Sequence, residues 1–94
     1  MDVADLVAAG MPESQAAEFA AQIGGVQANA ARLMAAGMPT AVACILHDQI
    51  SDAQSGVFTG RAGDIRPLVE IGMSRELAEK LAAAINATPY REWK

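Results

Sequence analysis

Cys44, His47 and Asp48 are the residues of this 94-residue chain whose types and spacing come nearest to chemistry. Separations of three and four place a thiol, an imidazole and a carboxylate on neighbouring turns of one helix. Cys–His catalysis needs a nucleophile and a base oriented by a third group, with an oxyanion site beside them. The sequence supplies no such surroundings. A structural zinc site takes four ligands of the Cys/His type, and the chain has one cysteine and one histidine. The expectation is therefore structural, with Cys44 as a small buried hydrophobe and His47 and Asp48 at the polar edge of its helix.

The other candidates are weaker. Glu76 and Glu79 fall on one helix beside Lys80, where solvation and local ion pairing account for them. Gly60, Arg61, Ala62 and Gly63 have the composition of a connector. No glycine-rich phosphate loop is present, and no strand precedes a place for one. No enzyme, cofactor or metal site is expected. The lone cysteine excludes an intrachain disulfide and is compatible with a reducing compartment.

Charge narrows the partners. A formal net charge of -4 argues against nucleic acid, whose phosphates call for clustered Lys and Arg. The charge is also polarised. Up to Gly60, six carboxylates (Asp2, Asp5, Glu13, Glu18, Asp48, Asp52) face Arg32 alone, whereas from Arg61 onward acids and bases nearly balance. Such a pattern suits head-to-tail or oriented docking, and equally suits a solvated surface with no role. The longest apolar stretch, Ala30 to Leu46, is broken by Arg32, Gly37 and Pro39, too interrupted to span a bilayer. An acidic start, Asp2 and Asp5, is unlike a signal peptide, so export by that route is not expected.

The elements that must position these side chains come from an internal repeat. Aligned on glycine, Leu6 to Pro12, Leu33 to Pro39 and Leu68 to Ser74 share the phrase Leu-x-x-x-Gly-Met-Pro/Ser. Ala16, Ala43 and Ala78 follow at equal offsets, then Phe19, Leu46 and Leu81, then Ile23, Ile50 and Ile85, which together describe one face of a helix. The structural corners Gly10-Met11, Gly37-Met38 and Gly72-Met73 end a first helix, because the residue after the last turn commonly takes a left-handed conformation. Pro12, Pro39 or Ser74 then starts a second helix. The fold class predicted is all-α: a compact bundle of about six short helices, near 3–9, 13–23, 27–36, 40–50, 65–71 and 75–86. The units cover about 2–24, 26–50 and 64–86 of one domain, 1–86, with a loop at 51–63 and a tail at 87–94. Helix starts are expected at Asp2 and at Asp64, with Pro67 in the first turn of the fifth.

The second helices differ. Unit one carries Glu18 and Gln22 on its expected outer side, whereas helix 40–50 runs apolar from Ala41 to Leu46. A helix apolar all round is buried all round, which places 40–50 at the bundle centre or at an oligomer interface. With 52% hydrophobic residues, much of them alanine, and only 4% aromatic, the core is thin and gains from covering by a partner, another copy or its own loops.

The corners specify scaffold, so recognition is expected outside the repeat. The loop SDAQSGVFTGRAG offers Val57, Phe58 and Arg61; the tail ATPYREWK offers Tyr90, Arg91 and Trp93. Aromatics and arginine are enriched in binding hot spots, and the same residues could instead fold back to cap the thin core.

The repeated phrase resembles the short helical repeats of small accessory virion proteins of tailed bacteriophages, the decoration, cement and head-fibre components. Leu6, Gly10, Met11, Ala16, Phe19 and Ile23 carry the resemblance with their counterparts in the other units, so it covers most of the chain. It implies a structural protein that binds rather than catalyses. The implied partner is the major capsid protein or another virion protein, and the implied location is the capsid surface after synthesis in the host cytoplasm, with homo-oligomers allowed. The first corner is also similar to that of ubiquitin-associated-type domains, where a Met-Gly-Phe/Tyr turn joins two helices; here the order is Ala-Gly-Met with no aromatic. That similarity implies a soluble adaptor binding a peptide or partner helix through the methionine corners.

Overall fold

The computed structural model describes residues 3–56 and 62–90, and every regular element among them is helical. Helices α1 (Val3–Ala8), α3 (Ala30–Ala35) and α5 (Arg66–Glu70) each turn through a glycine into α2 (Glu13–Ile23), α4 (Thr40–Ser55) and α6 (Arg75–Asn86). Gly10, Gly37 and Gly72 have φ of 111°, 102° and 100°, where a side chain is strained.

Backbone hydrogen bonds explain the repeated phrase. The N–H of Met11 donates to the carbonyl of Leu6 at 3.0 Å, Met38 to Leu33 at 3.2 Å and Met73 to Leu68 at 3.1 Å. Each glycine N–H reaches the next carbonyl along, that of Val7, Met34 or Val69. This is the Schellman termination, in which the residues at the two ends of the longer bond also form an apolar pair. Leu-x-x-x-Gly-Met is that motif written in sequence. Leu6, Leu33 and Leu68 are fully buried, Met11 and Met38 nearly so, and Met73 is half-buried.

Helix starts follow local chemistry as well. Pro12 and Pro39 stand at the N-caps of α2 and α4, and the Ser74 hydroxyl accepts from the N–H of Leu77 at 3.3 Å at the start of α6. Asp64 accepts from the N–H of Arg66 at 3.0 Å, and Pro67 occupies the first turn of α5. Asp2 lies outside the described residues.

The hairpins close into a ring: α2 packs on α3, α4 on α5 and α6 back on α1, while α4 also meets α6. The repeat positions supply the core. Ala16, Ala43, Ala78, Phe19, Leu46, Leu81, Ile50 and Ile85 are all fully buried. Ile23, in the last position of α2, is only half-buried.

Several expectations are corrected. Helix α4 is not buried all round: Ala41, Cys44 and Asp48 are exposed, and its buried stripe runs Ala43, Leu46, Gln49, Ile50, Ala53 and Gln54. Alanine and cysteine are small enough to face water at little cost, so an unbroken run of them does not require burial. Cys44 is accordingly an exposed thiol, not a core residue. The loop expected from Ser51 begins five residues later, because Ala53 and Gln54 find burial that extends α4 to a left-handed stop at Gly56, φ 77°. Helix α3 starts at Ala30, not 27, where the Asn29 side chain accepts from the N–H of Arg32.

Gln22, expected outside, is fully buried. Its amide clasps one residue of the α2–α3 connection, accepting from the N–H of Asn29 and donating to the same residue's carbonyl, both at 3.1 Å. Gln54 completes that connection: it accepts from the N–H of Ala28 at 3.0 Å and donates to the carbonyls of Gln22 and Val26 at 2.9 and 3.1 Å. Two further two-point clasps hold the chain before α5. Gln49 pairs with the backbone of Asp64, and Asn86 with that of Gly63. Loops in this thin-cored protein are thus tied by amide side chains where apolar area is short. Among the described residues, no helix is long and apolar enough to cross a membrane.

Candidate functional site

The Cys44, His47 and Asp48 trio does not form a centre. His47 Nδ1 lies 3.1 Å from Asp48 Oδ1 on an open face, and Cys44 stays exposed one turn earlier. Among the described residues, no group of three or more His, Cys, Asp or Glu side chains is placed to hold a metal ion.

One exposed carboxylate is electrostatically distinct. Asp64 faces the Arg66 guanidinium, with Nη2 to Oδ2 at 3.1 Å, and also accepts from the Arg66 backbone N–H. The side-chain hydrogen bond first and the backbone one second hold its carboxyl below the usual range. A depressed folded pKa stabilises above the carboxyl's unfolded value, and that contribution is lost as pH falls through the folded one. Because the pair is solvent-exposed, the effect on stability is small. A carbon-detected NMR titration should place the Asp64 midpoint below the ordinary aspartate value of about 3.9. Arg66→Gln should raise it only part of the way, since the backbone donor remains. A midpoint at or above the ordinary value in the parent chain would contradict this geometry.

The corners, read in sequence as scaffold, gather at one end of the ring and line an open groove of about 470 Å³. Its walls are repeat-equivalent. Units one and three each contribute the glycine, its two neighbours, the cap residue after the methionine and the residue five beyond the glycine; unit two contributes Pro39 and Val42. Ile71, beside Gly72, lines the groove and is 44% exposed. Two smaller notches lie outside the corners, one between α1 and Glu13, the other between α5 and Arg75. They too are repeat-equivalent, so Glu13 and Arg75 occupy the same position with opposite charge.

The opposite end is where α4 stops. A helix of 16 residues spans about 24 Å, so Gly56 stands a molecule's breadth from the corners. Of the expected partner-binding residues, Val57, Phe58, Arg61, Arg91 and Trp93 lie outside the described residues. Tyr90 is described, and at 63% it is the most exposed large hydrophobic residue among the described residues. A Cβ built on Gly56 would stand 3.0 Å from its ring. The tyrosine therefore lies over the last residue described before position 57, and the described flanks of the two segments outside the repeat adjoin. Sequence reasoning chose these segments by their composition but had no signal that Gly56 and Tyr90 adjoin.

Comparison with protein-family models, curated proteins and solved structures gives no match. Fold and surfaces together define a class, an all-α ring of three helical hairpins with an apolar groove at one end and an exposed tyrosine at the other.

Proposed function

We propose that this chain is a non-enzymatic structural protein of a tailed-phage virion that binds the capsid shell to decorate or stabilise it. The reading rests on the repeated phrase, and one observation carries it into the molecule. Tyr90, 63% exposed, sits against Gly56, so the described flanks of the two segments outside the repeat meet at one surface. A rigid ring that presents one aromatic-bearing end suits oriented docking on a shell built of many identical subunits, such as the major capsid protein. Exposed aromatics of this kind are common anchors in interfaces.

The adaptor reading, in which methionine corners grip a peptide, has less support. Met11 and Met38 are each 3% exposed and serve the core, which leaves Met73, half-buried, as the one corner methionine that reaches the surface.

Mass spectrometry of gradient-purified particles is the test. The protein should be present at a copy number tied to shell symmetry. Tyr90→Ala should retain the helical spectrum yet lower particle occupancy at least about tenfold, as loss of a central aromatic anchor does. Absence from purified particles would end this reading.

A further inference from the structure

The groove at the corner end has features of a self-complementary surface. Its floor is apolar, and Ile71, an exposed apolar side chain, stands on the same face. A hole and a knob on one face can satisfy each other across a twofold axis, in which the same patch is used by both subunits. Charge supports the same arrangement. Units one and three form the two fuller walls; Glu13 stands on the outer side of one, in its notch with α1, and Arg75 on the outer side of the other, in its notch with α5. Glu13 is exposed and makes no ion pair among the described residues. Arg75, with 75% of its side chain exposed, holds only Glu79 one turn along among the described residues, a kind of surface pair that contributes little and can be shared.

We propose that the corner face binds a second copy of this chain across a twofold axis, setting Glu13 of each copy against Arg75 of the other and seating each Ile71 beside the opposite groove. A twofold exchanges the two walls, so the single charge difference between them is used twice. An unrelated peptide would gain the apolar contact but has no reason to match both flanks. A stable dimer buries about 800 Å² per partner, roughly a sixth of the 5093 Å² surface. That is most of one end of a body measuring 33 × 24 × 23 Å. The corner end has little area to spare beyond that, so the dimer is a weak one, and it leaves the Tyr90 end free. The proposal does not rest on the virion reading, because it is tested on the isolated chain.

Sedimentation equilibrium from micromolar to millimolar concentration is the experiment. The average mass should rise from one chain towards two and stop there. Glu13→Arg and Arg75→Glu should each weaken association at least about tenfold by setting like charges together. An equimolar mixture of those two variants should recover it as heterodimers, because both contacts then become opposite in sign. Ile71→Asp should abolish association in every combination, with circular dichroism confirming that each variant is folded. A wild-type chain that stays monomeric at millimolar concentration would overturn the proposal, and so would a mixture of charge variants that fails to pair. Growth beyond two chains would overturn the twofold and point to the outer notches. Binding of an unrelated peptide to a chain that does not self-associate would assign the groove to that occupant instead.

Discussion

Gly63→Ala is expected to lower the melting temperature by about 10 to 20 °C, since each kcal/mol is worth roughly 4 to 8 °C in a domain of this size. The cause is a close approach of two backbones. A Cβ on Gly63 would stand 2.8 Å from the Cα and 2.9 Å from the carbonyl carbon of Ala82. Neither atom can rotate away as a side-chain tip would. Helix α6 is fixed by Ala78, Leu81 and Ile85, all fully buried, and Gly63 is fixed by its clasp with Asn86, N–H to Oδ1 at 2.7 Å. Relief therefore requires either a displaced helix or a broken clasp. Overpacking of this kind typically costs about 1 to 3 kcal/mol, and loss of the clasp adds about 1 kcal/mol. Gly10→Ala is the control, because nothing lies within 4 Å of a Cβ there and only the φ of 111° opposes it. That substitution should cost about 1 to 2 kcal/mol, the usual penalty for a side chain in left-handed backbone. Thermal unfolding followed by circular dichroism separates the two. A Gly63→Ala variant that melts with the parent would mean α6 is free to move.

The contrast between these glycines shows what kind of information the sequence carries. Gly10, Gly37 and Gly72 are readable because the Schellman motif is closed within six residues, from leucine to methionine, and its apolar pair leaves a mark in the pattern. Gly63 carries no such mark, since its partner is a helix 19 residues away. The same division runs through the fold. The start and end of α2 and the start of α6 follow from caps and glycines nearby, whereas the extension of α4 to Ser55 depends on Ala53 and Gln54 meeting other elements. Ser51 and Asp52 read as loop because their side chains compete with helix when nothing else decides; burial two residues further on decides otherwise. Cys44 fails in the opposite sense, since apolar composition was a poor guide for residues small enough to be indifferent to exposure.

The candidate surfaces divide likewise. Composition marks the segments outside the repeat, but only the folded chain places Tyr90 over Gly56. The groove was hidden for a different reason. Its residues are the corner residues themselves, and a pattern that explains them as turn chemistry leaves no visible remainder to suggest a second use. Closure of α6 on α1 is what turns three local turns into one lined surface, and closure is a property of the whole ring.

Gln54→Leu is expected to destabilise the protein by about 3 kcal/mol, although leucine is of similar size and more apolar, because unmet backbone groups cost about 1 to 3 kcal/mol apiece when buried. Gln54 is 1% exposed and serves the N–H of Ala28 and the carbonyls of Gln22 and Val26. A hydrophobic replacement keeps the volume and abandons three partners at once. One signal for such amides existed in the repeat, since Gln22 and Gln49 both stand twelve residues beyond a corner glycine, and both clasp a connecting segment. Gln54→Glu sharpens the prediction by its sign. A carboxylate could accept from Ala28 but would oppose two carbonyls, so its folded-state pKa should be raised. The variant should therefore be least stable above that pKa and recover as pH falls through it, when the protonated acid can donate again. Gln54→Leu should show no such recovery relative to the parent. Denaturant unfolding at two pH values measures the difference, and amide exchange at Ala28 should quicken in Gln54→Leu ahead of exchange in α6. Equal stability of Gln54→Leu and the parent would mean that water replaces the amide freely, and that the α2–α3 connection is held by Gln22 alone.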